Sequence, residues 1–260
     1  MKRTVYYTFL LIAMSLLISA CSKDEDDETS SNGGKAPSSV KAVDLDLPSG
    51  TLWATMNVGA EYPEDYGNYY AWGETKAYGE EDTSNAHNYS YNGNSSYKKT
   101  YYNMSTYKWR NDSYSYGESF SKYNTSSSYG TVDNKKVLEL ADDAAYVNWG
   151  ENWRMPTHAE MQELYNNCTW TWTSMNGKNG YKVSSKKDSS KYIFLPATGY
   201  RDNGLLRYDG SNGHYWSSSL HESLPYSAWR LNFNFYSGDI DPDYYNYRCF
   251  GRSVRPVRRQ

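Results

Sequence analysis

Histidine, cysteine and positive charge are scarce in this sequence, and their scarcity excludes several classes of protein. The 260 residues include 4 His and 3 Cys, and 27 basic residues stand against 30 acidic ones, for a net charge of -3. Without a basic excess or stripe, nucleic acid is not expected as a partner. Hydrophobic residues make up only 38% of the chain, but 9 Trp and 29 Tyr are more than disordered segments carry. We therefore expect a domain that folds around an aromatic core.

Motifs that would carry catalysis or bind a metal are also missing. The sequence contains no G-x-S-x-G, H-E-x-x-H or P-loop motif. Ser217 and Ser219 lie near His221 along the chain, but neighbours along a strand point to opposite faces, so a triad is not expected there. The D-x-D-x-D run that starts at Asp239 has Tyr244 at its sixth position, where a calcium loop needs glycine. We expect no catalytic residue, no metal and no cofactor.

The N-terminus has the pattern of a secretory signal peptide. Lys2 and Arg3 precede an apolar stretch that ends in small residues before Cys21. Residues 17–21 resemble a bacterial lipobox, which implies cleavage after residue 20 and lipidation of Cys21. A short membrane anchor is the alternative, but the apolar stretch is shorter than the ~20 residues of a spanning helix. We predict a lipoprotein signal peptide over residues 1–20.

The next segment, residues 21–39, is acidic and then rich in Ser and Gly, as expected of a solvated linker. Its acidic run, residues 22–28, resembles the export signal that sends some lipoproteins to the outer face of the outer membrane. An ordinary acidic linker on a periplasm-facing lipoprotein is the alternative. We predict a cell-surface protein of the outer membrane that contacts the membrane through its lipid anchor only.

Residues 40–260 are expected to form one α+β domain with short strands. Residues 214–220 and 228–235 are strand-like, and the second run alternates so that Trp229, Leu231, Phe233 and Phe235 face the core while Arg230, Asn232 and Asn234 face outward. Trp216 is also assigned to the core.

Two helices and one long insertion complete the predicted domain. Helices are predicted over residues 142–149 and 156–168, the second with a capping box formed by Thr157 and Glu160. A Tyr/Ser/Asn-rich stretch at about residues 88–130 is predicted to be an insertion that its aromatic rings partly order.

Six blocks of this domain resemble, in order, the Fibrobacter succinogenes major paralogous domain, a family of bacterial surface lipoprotein domains. The resemblance implies a C-type-lectin-like fold with short antiparallel strands, two helices, long loops and paired first and last strands. This fold carries unrelated activities, so it does not by itself define a function. The blocks are residues 43–60, 69–75, 147–164, 193–201, 213–219 and 251–257.

The same resemblance separates enzymes from binding proteins. The related formylglycine-generating enzymes use a cysteine pair, whereas Cys168 and Cys249 are the cysteines of this domain. These two residues form either a disulfide, in an oxidising compartment, or two buried thiols. The Glu-Pro-Asn and Trp-Asn-Asp triplets of calcium-dependent lectins are missing, so sugar binding through calcium is not supported.

Residues 238–247 are dense in Asp, Tyr and Asn and precede a segment, residues 248–257, that we predict to be the closing strand. Tyr provides a rigid amphipathic surface while Asn and Asp provide adaptable hydrogen bonds, as in antibody combining loops. The segment also resembles the variable region of proteins that retroelements diversify by mutating adenines in Asn codons. A Tyr-rich loop that is merely typical of this Tyr-rich chain is the alternative. The predicted ligand-binding residues are His221, Tyr226, Arg230, Asn232, Asn234, Asp239, Asp241, Asp243, Tyr244, Tyr245, Asn246 and Tyr247.

These observations predict a lipid-anchored, adhesin-like or receptor-like protein of the cell surface that binds an extracellular protein or glycan. The alternative is a structural subunit of a surface or fimbrial assembly. An enzyme of the formylglycine-generating type is less well supported.

Overall fold

A computed structural model describes residues 34–77, 102–111 and 119–260 of the chain. The predicted signal peptide, Cys21, residues 21–33 of the linker and part of the predicted insertion lie outside the described residues. Residues Gly33–Gln260 form one compact unit. Among the described residues, no helix has the length and apolar character needed to cross a membrane.

Within the described ranges, the chain forms eleven short strands, two α-helices and three short 3-10 helices. The α-helices are α1 (Ala144–Trp149) and α2 (His158–Asn167), and the 3-10 helices are Met104–Thr106, Ser127–Tyr129 and Leu140–Asp142. The strands are β1 (Ala42–Asp44), β2 (Leu52–Ala54), β3 (Cys168–Met175), β4 (Lys178–Ser185), β5 (Tyr192–Pro196), β6 (Tyr200–Asp202), β7 (Leu205–Arg207), β8 (Asn212–Leu220), β9 (Ser227–Asn234), β10 (Ile240–Tyr247) and β11 (Val257–Arg258).

The strands form four small sheets with antiparallel pairing throughout, in the orders β1-β2-β11, β10-β9-β8, β3-β4-β5 and β6-β7. The described residues therefore form a fold of mostly antiparallel sheets with few helices, which is consistent with the predicted α+β class and also with a mostly-β class. The first and last strands, β1 and β11, lie in one sheet, but the expectation that they pair with each other is wrong: they lie on opposite sides of β2.

Both predicted helices are present, and α2 begins at the predicted capping box. Thr157 accepts a hydrogen bond from the backbone N–H of Glu160, and the Glu160 carboxylate accepts one from the backbone N–H of Thr157. Arg154 also donates to this carboxylate at 2.7 Å. Burial alone would raise the pKa of Glu160, but the hydrogen bonds from Arg154 and Thr157 outweigh it and hold the pKa at about 2. Helix α2 packs on the β8-β9-β10 sheet, so this anchored helix end supports the sheet.

The core is aromatic, as predicted. Trp53, Trp72 and Trp216 are among the largest fully buried side chains, and burial of each such ring contributes about 4–6 kcal/mol before entropy is subtracted. The described parts of the predicted insertion join this core, because Tyr107 and Tyr123 are fully buried and the Tyr107 hydroxyl donates to the Trp72 carbonyl oxygen at 2.6 Å.

Of the two possibilities weighed for Cys168 and Cys249, the structure does not show the disulfide. Both thiols are buried, but they lie in different hydrophobic clusters and are not joined by a disulfide. Cys168 packs with Leu164 of α2 and Val183 of β4, whereas Cys249 packs with Phe120. The second possibility weighed from the sequence, two buried thiols, is the one that the structure shows.

Candidate functional site

The segment with the predicted recognition residues forms a strand, so its prediction as a loop is wrong. Ile240–Tyr247 is β10, the edge strand of the β10-β9-β8 sheet. The predicted closing strand over residues 248–257 is also wrong, apart from its last residue. That segment is held by isolated bridges such as Tyr70 with Arg252 and Tyr215 with Ser253, and its three arginines are buried. The alternation of polar and apolar residues in the sequence does not reveal this, because an arginine counts as polar in such a pattern whether it is buried or exposed.

The register of β10 on β9 distributes the predicted site over two faces. Tyr244 pairs with Arg230 and Tyr245 pairs with Trp229, and paired residues share a face of the sheet. A bulge between Asp241 and Tyr244 inserts one extra residue, which also increases the local twist. Consecutive tyrosines of β10 therefore point to opposite faces, and the predicted site is not one flat surface.

These side chains meet along the edge of β10, where they line a groove of about 560 Å³. Tyr244, Tyr245 and Tyr247 are 46%, 42% and 40% exposed, so each ring keeps a free surface while the rest of it is packed. Tyr226 lies beside Tyr247, with ring centroids 5.5 Å apart. We call this the tyrosine groove; it is lined by Tyr226, Ser227, Asp241, Asp243, Tyr244, Tyr245, Asn246 and Tyr247.

Helix α2 contributes two residues that the sequence analysis missed. His158 Nε2 lies 2.7 Å from Asp243 Oδ1, and the Gln162 amide donates to the same oxygen at 2.6 Å. His158 and Gln162 are four residues apart and therefore on one face of the helix. That spacing was visible in the sequence, but nothing in the sequence showed that this face meets Asp243.

A stack of rings joins the helix to the groove. The His158 ring stacks on Trp229 with centroids 4.3 Å apart and an interplanar angle of 3°. His221 contacts both Trp229 and Tyr245 at 4.3 Å between centroids. Burial lowers the pKa of His221, which favours its neutral form near neutral pH. Trp229 is half-buried rather than part of the deep core, and it serves as the platform beneath Tyr245.

Arg230 is buried, which corrects its prediction as an outward-facing binding residue. It is 3% exposed, because the Tyr244 ring covers its guanidinium at 4.5 Å. Arg230 donates to the Asn232 side chain at 2.9 Å and to Nδ1 of the buried His214. Burial lowers the pKa of Arg230 to about 9, so its charge persists at neutral pH.

The β9–β10 turn holds the remaining predicted residues, away from the groove. Asn234 accepts a hydrogen bond from the backbone of Tyr236 at 2.8 Å, and the exposed Asp239 binds the Asn234 backbone N–H through its own carbonyl oxygen at 3.0 Å. Phe235 is 50% exposed, so its prediction as a core residue is wrong: the strand ends at Asn234 and the alternation ends with it. Leu231, Phe233 and Trp216 are fully buried, as predicted.

The carboxylates of Asp241 and Asp243 have different partners: Asp241 accepts a hydrogen bond from the backbone N–H of Asp243 at 2.8 Å, and Asp243 contacts His158 and Gln162 of α2. In the part of the chain that the structure describes, no group of three or more His, Cys, Asp or Glu side chains is placed to hold a metal ion. Burial also raises the pKa of the Cys168 thiol to about 11, and a protonated thiol is a weak nucleophile.

Comparison with known proteins gives one finding on the family. A family model described as a domain of unknown function (DUF8237) matches residues 172–257, less than half of the chain, from β3 to the start of β11. No curated protein and no solved structure matches the chain.

Proposed function

We propose that this chain is a lipid-anchored protein of the outer-membrane surface that binds an extracellular protein or glycan in the tyrosine groove. In this proposal its domain is C-type-lectin-like, and it is a binding protein rather than an enzyme. The single observation that supports this proposal most is the groove itself: three half-exposed tyrosines on one strand, with carboxylate and amide side chains that line the same groove. Rigid rings and short polar side chains are the combination that binding surfaces use.

The packing beneath the groove supports binding rather than disorder of this surface. Each ring of β10 has its own packing partner: Trp229 and His221 contact Tyr245, Arg230 contacts Tyr244 and Tyr226 contacts Tyr247. Less side-chain entropy therefore remains to be lost when a ligand binds. We also propose that β10 is the segment in which retroelement diversification would act, since the fold of β8 and β9 does not depend on the exposed rings.

A structural subunit is the second candidate, because β10 is an edge strand to which another chain could add a strand. The sequence of β10 opposes this use. Pro242 cannot donate to a strand ladder, the bulge disrupts the register, and Asp241 and Asp243 place charge along the edge. These are the features by which proteins block edge pairing.

The test is a binding screen of Gly33–Gln260 against glycan and surface-protein arrays. In the test variant, Tyr244, Tyr245 and Tyr247 are replaced by Ala. In the matched control, three tyrosines of similar exposure outside the groove are replaced: Tyr62, Tyr165 and Tyr192.

We expect the test variant to lose at least ~2 kcal/mol of binding free energy, the scale of a hot-spot residue, and the control to bind like the parent. Equal loss in both variants, or none in the test variant, would contradict the proposal. Loss of self-association without loss of ligand binding would favour the structural subunit.

A further inference from the structure

Three buried side chains that carry a positive charge or a hydrogen-bond donor lie together behind Tyr244. Among the described residues no acidic group forms an ion pair with them, although the charge of Asp241 acts on Arg230. They are Arg230, Arg252 and His214, which we call the donor cluster. Arg252 is fully buried, and its guanidinium contacts the rings of Tyr200 and Trp216 at 5.1 and 4.7 Å. Arg230 and Arg252 are close enough that each charge disfavours protonation of His214.

The hydrogen bonds within the donor cluster leave only donors unused. Arginine can only donate, so the bond between Arg230 and His214 makes Nδ1 of His214 the acceptor. The imidazole is therefore neutral with its proton on Nε2. That atom has no acceptor, and neither do Nε of Arg230 and all three guanidinium nitrogens of Arg252.

The segment of residues 248–257, which contains Arg252 and which we call the closing segment, provides an internal comparison. Arg248 and Arg255 are as buried as Arg252, yet each donates to carbonyl or side-chain oxygens of the fold. The fold can therefore satisfy a buried arginine at this depth. At Arg252 aromatic rings replace the oxygens, and cation–π contacts compensate only part of the desolvation of a charge.

We propose that the donor cluster is the subsite for the carboxylate of an acidic sugar, reached from the tyrosine groove when Tyr244 turns aside. This inference rests on the proposed function for its access route. A carboxylate is planar and accepts two parallel hydrogen bonds, which matches the guanidinium fork. Tyr244 is the one side chain of the groove that covers Arg230, and it follows the bulge of β10.

The groove itself favours a sugar over an acidic peptide. Asp241 and Asp243 line the groove, and ionised carboxylates accept hydrogen bonds but cannot donate them. They would repel a run of acidic side chains, but they would accept bonds from sugar hydroxyls. A uronic acid offers one carboxylate for the cluster, several hydroxyls for the Asp side chains and an apolar C–H face for the tyrosine rings.

The test follows the side-chain Nε–H signals of arginine by NMR while Gly33–Gln260 is titrated with glucuronate and, separately, with glucose at the same ionic strength. We expect glucuronate to shift the signals of Arg230 and Arg252, to bind at least about tenfold more tightly than glucose, and to lose that advantage in Arg230→Met. Arg259→Met, a change at an exposed arginine, should leave it intact. If Arg230→Met does not fold, Arg230→Lys keeps the charge without the fork and should still weaken glucuronate binding.

Tyr244→Ala separates this inference from the proposed function. This substitution uncovers Arg230, so it should strengthen binding of the small anion acetate. It should weaken the binding of any ligand that stacks on the tyrosine rings of the groove. Equal affinity for glucuronate and glucose, unchanged glucuronate binding in Arg230→Met, or tighter binding of polyglutamate than of polyglucuronate would each overturn the inference. An array ligand that needs the tyrosines but not Arg230 would overturn it as well and leave the groove function intact.

Discussion

The buried arginines of the closing segment give the sharpest prediction about stability. We would replace Arg248, Arg252 and Arg255 by Met, one at a time. Arg248 donates to four oxygens at distances between 2.8 and 3.1 Å. Arg255 donates to three oxygens between 2.8 and 3.0 Å. Arg252 donates to none through its side chain and contacts aromatic rings instead.

The expected change in unfolding free energy differs in sign between these residues. Loss of Arg248 or Arg255 leaves several buried oxygens without donors, which costs about 3–5 kcal/mol of unfolding free energy. Loss of Arg252 removes a buried charge, which is worth about 1–4 kcal/mol in favour of folding, against about 0.5–2 kcal/mol of cation–π attraction. Arg252→Met should therefore be as stable as the parent or more stable.

Urea unfolding of Gly33–Gln260 at neutral pH measures all three variants, with Arg259→Met as the exposed control. The slope against urea should stay constant, so that midpoints report stability directly. A loss of stability in Arg252→Met as large as that in Arg248→Met would refute the reasoning, because it would mean that the ring contacts alone stabilise a buried guanidinium.

Three further predictions concern Glu160 at the start of α2, the two cysteine thiols, and the β8-β9-β10 sheet. The folded pKa of Glu160 is about 2, below its ordinary 4.5; its contribution is complete above the ordinary value and is lost as the pH falls toward 2. The parent should thus lose about 3 kcal/mol of unfolding free energy over that pH range, and the Glu160→Gln variant should lose much less. Unfolding measured at a series of acidic pH values tests this difference. Cys168 and Cys249 should resist a thiol reagent in the folded domain and both react after unfolding without reductant; failure to react once unfolded would reveal a disulfide. A Cβ at Gly213 would lie 2.0 Å from the Phe233 ring, so Gly213→Ala should lower the unfolding free energy by about 1–3 kcal/mol, measured by thermal unfolding, and Phe233→Leu in the same chain should recover part of the loss.

Features fixed by neighbouring residues were predictable from the sequence. The capping box of α2 needs only Thr157 and Glu160 in adjacent turns, and the inward positions of Leu231 and Phe233 follow from the two-residue period of a strand. The composition of β10 was also sufficient to identify residues that line the groove, because half-exposed tyrosines and short polar side chains stand out locally.

Features that depend on partners far along the chain were decided by the tertiary structure. Arg230 and Arg252 have the sequence appearance of surface residues, but rings from elsewhere in the chain pack on them: Tyr244 on Arg230, and Tyr200 and Trp216 on Arg252. The contact of His158 with Asp243 joins residues 85 positions apart, and the separation of Cys168 from Cys249 depends on which cluster each residue enters. Sequence patterns report which side chains can point the same way, whereas burial and pairing depend on what packs against them from elsewhere in the fold.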